Sequence, residues 1–471
     1  MLVKEYIRFD VHELASLIKS RQISPEETLK CALARIDEVN PVLNAVVTDC
    51  TGFALKCLAK MRGDEPYYGV PLLVKDLGYD LEGIRSTEGS RFFSSNTGLA
   101  TSDMVSKMIS LGFVPFAKTN TPELGLSYVT ESSLFGPCRN PYDLGRTSGG
   151  SSGGAAAAIA AGIAPVSTAS DGGGSIRIPA ACCGLFGFKP TTGLTPTGPW
   201  ADELWSGMAT NFVLARSVRD SVALFGELAN QIKINPYAPL KKTLEITYLE
   251  GVFPSVVVEP HCLEAVTKVE KLLKKAGHHF SKKHLALDLK AIGECTIILI
   301  AANTSAAIQM QEQKLGRKAN NDELEPITRE FYHLGKTLLA HQLIEAKNKL
   351  YQLVRPLHEL LSQTDVVLTP ALAQLPLIIG QLRTDDEFNN YLQKNTEFSP
   401  FTSLFNQAGL PAMTLPVMFH KQLPVSVQLG AAKGKDLLLL TLAGELESML
   451  SDFNREKPET ADLPISLAKN L

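Results

Sequence analysis

The stretch RTSGGSSGGAAAAIAAGIAPVSTASDGGGSIRIPAACCGLFGFKP, Arg146 to Pro190, decides how the rest of the chain is read. Two Gly/Ser clusters flank an Ala-rich run. One holds Ser151 in GGSSGG and the other holds Ser175 in DGGGSIR. A serine among residues without side chains can be approached closely by a substrate. Consecutive peptide N–H groups there can converge on a developing negative charge. Those are the requirements of an acyl-transfer nucleophile, and they leave open what activates it.

No histidine lies in this window; the closest in sequence are His12 and His261. A different base is offered upstream, in GVPLLVKDL. Lys75 ends the apolar run Val70 to Val74, which reads as a buried strand. Loss of solvation there lowers a lysine pKa from about 10.4 toward neutrality. A relay is then chemically coherent: Lys75 takes a proton from Ser151, and Ser151 takes one from Ser175. Each residue also has a plainer reading. A lysine at a strand end is commonly a solvated surface charge. Ser151 reads as the N-cap of the helix Ala155–Ala161, and Ser175 as a cap for the segment after it. Asp171 and Arg177 read as a structural pair. Cys182 and Cys183 read as small buried residues beneath the loop, because adjacent cysteines rarely meet disulfide geometry.

The blocks GVPLLVKD, KTNTPELG, GGSSGG and SDGGGSIRIPAACCGLFGFKPT resemble the amidase signature family of serine hydrolases. The interval of 24 residues from Ser151 to Ser175 matches that family. The resemblance continues through ARSVRD (215–220), TPAL (369–372), NQAGLPAMTLPV and LPVSVQLGAAKGKDLLLLTLAGELE, so it covers nearly the whole chain. It implies Lys75 as general base, Ser151 as relay after a cis peptide bond, and Ser175 as nucleophile. It implies an oxyanion hole from the N–H groups of Gly172, Gly173, Gly174 and Ser175. Ser152, Asp171 and Arg177 match positions that hold the loop in shape. The sequence departs from the pattern at Ala155, where many members have serine, and at Gly172, where Thr or Ile is common. It departs again in QLPVSVQ, which replaces a more glycine-rich run.

The fold implied is α/β, an amidase signature fold whose mixed central sheet is sandwiched by helices, as one domain over 1–471. Patterns predict two amphipathic helices within Val11–Asn40, broken near Ile23-Ser24-Pro25. Ser24 and Glu27 form a capping box there, with Pro25 first in the second helix. Strands are predicted at Gly69–Lys75, Gly112–Lys118, Leu244–Tyr248, Val366–Thr369 and Val425–Leu429. Helices are predicted at Met104–Leu111, Pro260–Ala276 and Lys435–Glu447. His278 and His279 read as surface or capping residues. Leu287–Leu361 reads as a charged helical cover over the site, and the tail after Asn454 as loosely held.

Composition fits a soluble enzyme: 45% hydrophobic, 20% charged and a net charge of −3 over 471 residues. That charge gives no reason to expect nucleic-acid or membrane attraction. No uncharged apolar run is long enough to predict a transmembrane helix, and the start lacks a signal-peptide core. The eight cysteines form no CxxC pair, which fits reduced thiols and a cytoplasmic setting. The nine histidines form no HExxH or Cys/His cluster, and no GxGxxG or Walker loop occurs, so neither metal nor other cofactor is expected.

The expected reaction is amide hydrolysis through an acyl-enzyme, with a small-molecule amide as partner. The segment 118–154 and the helical insert with LGRKANNDELE look most like the branch containing 6-aminohexanoate cyclic dimer hydrolases, which implies a small linear or cyclic amide. The alternative in the same class is the glutaminase subunit of a glutamyl-tRNA amidotransferase. The text LWSGMATNFVLARSV lacks the SSLDQ-like run expected there. The alternative from another class is a non-catalytic small-molecule or anion-binding protein, since Gly-rich turns before helices suit anions. Such a module needs the glycines but no buried lysine aligned with two serines.

Overall fold

A computed structural model describes residues 1–240 and 242–450, together with 453 and 460. The tail beyond Asn454 otherwise lies outside the described residues. The strands of the main sheet are β1 (Val46–Asp49), β2 (Val70–Lys75), β3 (Phe113–Thr119), β4 (Val166–Asp171), β5 (Gly187–Lys189) and β6 (Thr210–Ala215). They continue as β7 (Glu245–Glu250), β8 (His279–His284), β9 (Val366–Pro370), β10 (Ala412–His420) and β11 (Leu423–Ala431). The order is β1-β3-β2-β4-β6-β5-β10-β11-β9-β7-β8. The sheet is mixed. β2 runs parallel to both β3 and β4, and β7 to both β8 and β9. The centre, from β4 to β11, is antiparallel.

VPLLVK and TNFVLA are buried along their whole length, and in VSTASD only Ser170 is partly exposed. The Ala-rich helix is Gly153–Ala160, and every residue of it is buried. Its small side chains let it lie close against β2, β4 and β6. The N-cap is Ser152, not Ser151, and its side chain makes no capping bond. Ser151 is one residue too early, because it belongs to the turn that faces Lys75.

The N-terminal helices are Val11–Lys19 and Pro25–Leu43. Ser24 and Glu27 form the predicted capping box, at 3.2 and 2.8 Å. The cover consists of Leu289–Leu315, Pro326–Thr337, Ala340–Leu353 and Arg355–Leu361. Leu289–Leu315 is apolar enough by length and composition to cross a membrane; it packs against the next two helices of the cover. A further helix, Phe388–Phe398, lies outside the elements predicted from the sequence. His278 corrects a reading: it is buried, its Nδ1 accepts from the Leu244 N–H at 3.2 Å, and its Nε2 meets Glu445 at 2.9 Å. His279 is exposed and opens β8.

Candidate active site

The C-terminal ends of β2 and β4 lie side by side, and each delivers a polar group to one point. Lys75 closes β2 with no solvent exposure. Its Nζ lies 2.8 Å from Ser151 Oγ and 3.0 Å from Ser170 Oγ. Its own N–H donates to Thr168 Oγ1 at 2.9 Å, which fixes the strand end. Burial brings the Lys75 pKa down to about 7, against the opposing pull of Asp171 and Glu88. Near neutral pH this amine therefore has both its charged and its neutral form within reach.

Ser151 follows a cis peptide bond from Gly150 and is 2% exposed. Gly125, at the end of the KTNTPELG block, packs on it: a Cβ there would lie 3.3 Å from Ser151 Oγ. The Ser152 N–H donates to the Ser175 carbonyl at 3.2 Å, which holds the two serine turns together. Ser152 Oγ donates to the Ser170 carbonyl at 3.3 Å. No hydrogen bond joins Ser151 Oγ to Ser175 Oγ in this conformation. Cys182 and Cys183 are separate buried thiols beneath the first turn, and Cys183 Sγ meets the Ser148 carbonyl at 3.6 Å.

The loop from Asp171 to Ser175 is shaped by a buried frame. Asp171 Oδ1 accepts from the Gly174 N–H at 2.8 Å, and Oδ2 from the Ile176 N–H at 3.1 Å. Burial alone would raise the Asp171 carboxyl, but Arg177 beside it overrides this and holds it at about 2. Arg177 reaches on to the Thr402 carbonyl at 2.8 Å, Asn406 Oδ1 at 2.6 Å and Gln428 Oε1 at 2.5 Å. Asn406 Nδ2 returns to the Asp171 carbonyl at 2.8 Å, and Thr402 Oγ1 donates to the Gly173 carbonyl at 2.8 Å. The NQAGLP and LPVSVQ blocks thus meet the central loop through Asn406 and Gln428. Sequence reading had not assigned them a role.

Ser175, Gly172 and Gly173 open onto a cavity of about 100 Å³. Gly174 does not line it, and its N–H is already donated to Asp171. The walls are largely apolar: Leu126, Tyr128, Trp205, Met208, Ile300, Phe331, Tyr391 and Leu392. Asn395, Ser403, Gln407 and Thr296 add neutral polar groups, and among the described residues no lining side chain is charged. The cover helices 289–315 and 326–337 therefore do reach the site, but long polar residues such as Gln309, Gln311, Glu312 and Gln313 do not line it. Helix 388–398 supplies a further part of the wall, through Tyr391, Leu392 and Asn395. Its text, FNNYLQKNTEF, does carry an apolar stripe at helical spacing, Phe388, Tyr391, Leu392 and Phe398, and that stripe is the signal that could have found it.

The chain is 32% identical over 450 residues to a putative amidase AmiC of Mycobacterium tuberculosis (strain ATCC 25618 / H37Rv), covering 93% of this chain and 94% of that protein. It is 30% identical over 475 residues to the 6-aminohexanoate-cyclic-dimer hydrolase of Paenarthrobacter ureafaciens, with 94% of each chain covered. A solved structure of a 6-aminohexanoate cyclic dimer hydrolase complexed with its substrate superposes with a TM-score of 0.86 at 27% identity, over 94% of this chain and 98% of that one. The sequence model of the Amidase family matches residues 27–440, and the chain belongs to that amidase signature family as an amidohydrolase.

Proposed function

We propose that the protein hydrolyses small uncharged amides through a Ser175–Ser151–Lys75 relay and an acyl-enzyme. The observation that carries this is the 2.8 Å contact between the fully buried Lys75 Nζ and Ser151 Oγ. A neutral amine there has a lone pair for the Ser151 proton. Ser151 Oγ in turn accepts the proton of Ser175 as Ser175 Oγ attacks the carbonyl carbon. The carbonyl π pair moves onto oxygen, and the N–H groups of Gly172, Gly173 and Ser175 stabilise it. Gly174, expected as a further donor, instead uses its N–H to fix the loop on Asp171.

Collapse of the intermediate breaks the C–N bond. Ser151 returns a proton to the leaving amine and is reprotonated from Lys75. Water then attacks the acyl-enzyme along the same path, giving the acid and free Ser175. The gap between Ser151 and Ser175 closes with substrate present; such catalytic hydrogen bonds are often long in free enzymes.

The cavity supports an uncharged acyl group. At about 100 Å³ it is smaller than the roughly 300 Å³ at which drug-sized pockets begin. A glutaminase subunit would have to hold the ammonium and carboxylate of glutamine, and among the described residues no charged side chain lines this cavity. A phosphate-binding module would gain nothing from a lysine kept near neutrality beside two serines. Intact mass after treatment with a fluorophosphonate tests the reading. One adduct on the parent, absent from Ser175→Ala, is expected. An adduct that persists in Ser175→Ala would place the nucleophile elsewhere, and no adduct on the folded parent would remove the acyl-enzyme.

A further inference from the structure

Trp205 sits on a turn that separates two spaces. Leu204 and Ala209 pair as an antiparallel bridge, and the turn between them carries Trp205 and Ser206 at φ of 49° and 55°. Two consecutive non-glycine residues in the left-handed region are uncommon, the more so when one is bulky. The turn is held from outside. Asn303 Nδ2 donates to Ser206 Oγ at 2.9 Å, and Lys347 Nζ reaches Glu203 at 2.7 Å. Both partners come from the helical cover.

On one side of the turn, Trp205 lines the cavity that holds Ser175. On the other, Leu204 and Ala209 line a separate cleft of about 870 Å³. The indole also lies over the catalytic loop. A Cβ added at Gly172 would stand 3.0 Å from its Cε3, closer than packed carbons tolerate without a shift. Gly172 is the position where the sequence departs from the Thr or Ile common in the family. The departure and the tryptophan are one arrangement: the missing side chain at 172 leaves the room the ring occupies.

We infer that Trp205, seated on Gly172, is the specificity-determining residue that closes the acyl end of the cavity and restricts the enzyme to short acyl groups. This rests on Ser175 being the acylated residue. Removing the indole lengthens the small cavity toward the turn and gives a long chain somewhere to go. A Thr at 172 displaces the ring by another route and acts in the same direction.

The experiment uses the full-length enzyme and a series of p-nitroanilides from acetyl to decanoyl. In the parent, kcat/KM falls as the chain lengthens. In Trp205→Ala the decanoyl-to-acetyl ratio of kcat/KM rises by at least about tenfold, the scale on which a pocket discriminates chain length. Trp205→Leu, which keeps an apolar side chain on the turn and guards against misfolding of the Ala variant, gives an intermediate ratio. Gly172→Thr raises the ratio in the parent background and adds little to it in Trp205→Ala. An unchanged ratio in Trp205→Ala and Trp205→Leu, with Ser175 still taking the fluorophosphonate adduct, overturns the assignment of Trp205. A parent that takes no adduct at Ser175 overturns the acyl-enzyme itself, and the two failures are distinguished by that single mass.

Discussion

Asp171 and Arg177 meet through two parallel hydrogen bonds, Nε to Oδ2 at 2.9 Å and Nη2 to Oδ1 at 2.8 Å, with neither side chain exposed. Removing one partner leaves the other charge buried alone, which costs about 3–5 kcal/mol. Arg177→Ala and Asp171→Asn are each expected to lose stability on that scale in urea unfolding. The pH dependence follows from the low Asp171 pKa. Its contribution is fully present above the ordinary carboxyl value of 3.8 and is lost as pH falls through about 2. The stability gap between parent and Asp171→Asn therefore narrows from pH 4 downward, by about the time pH 2 is reached. A gap of constant size across that range would count against an ionised Asp171.

Lys75 predicts the pH profile. Burial puts its pKa at about 7, and the base must be neutral, so kcat/KM rises through that pH toward an alkaline plateau. Lys75→Met is expected to lose several orders of magnitude in rate. Its stability moves the other way. Between about 7 and 10.5 the unfolded chain binds the proton that the folded chain has released, so the parent gains stability as pH rises. Lys75→Met should be the more stable protein below pH about 7, with the advantage shrinking toward alkaline pH. A flat rate profile would sink the role of Lys75.

Ser170 is the second hydroxyl on Lys75 Nζ, at 3.0 Å. A hydrogen bond to the charged amine favours that form. Ser170→Ala should therefore shift the rate midpoint to lower pH and reduce kcat about tenfold, the worth of one charge-assisted hydrogen bond. Ser170→Thr restores both. Titration of kcat/KM on the three proteins decides it; a lower rate with an unmoved midpoint would make Ser170 only structural.

Gly174 has a φ of 130°, which side chains with a Cβ rarely adopt. A Cβ there would also collide with Thr402 Oγ1 and stand 2.7 Å from Ile178 Cδ1. Gly174→Ala should destabilise the fold by about 1–3 kcal/mol. It should also slow probe labelling of Ser175 at temperatures where the variant is still folded. Labelling at the parental rate would show that the loop tolerates the change.

The parts of the fold that were legible in the sequence are those whose burial leaves a pattern. VPLLVK, the Ala-rich run and the Ser24–Glu27 capping box each state their structure locally. β8 was missed because it is an edge strand, and HFSKKH has no apolar alternation to betray it. The hairpin of β10 and β11 turns on Lys421 and Gln422, both at positive φ. Lys-Gln carries none of the Asn-Gly signal usual for that turn. At the site, Lys75, Ser151 and Ser175 stand in recognisable blocks. Trp205, Tyr128 and Tyr391 became site residues only because the topology brings distant segments over the loop. Such placement is a property of the sheet order, not of any window of sequence.

The frame around Arg177 has a consequence for how the protein comes into being. Its partners Thr402, Asn406 and Gln428 lie 225, 229 and 251 residues downstream. A ribosome has therefore built Ser175, Ser151 and Lys75 long before it makes the residues that hold the loop in register. A half-finished chain carries the reactive groups without their alignment. Hydrolytic power arrives with the final strands, so a stalled or truncated product is born unarmed.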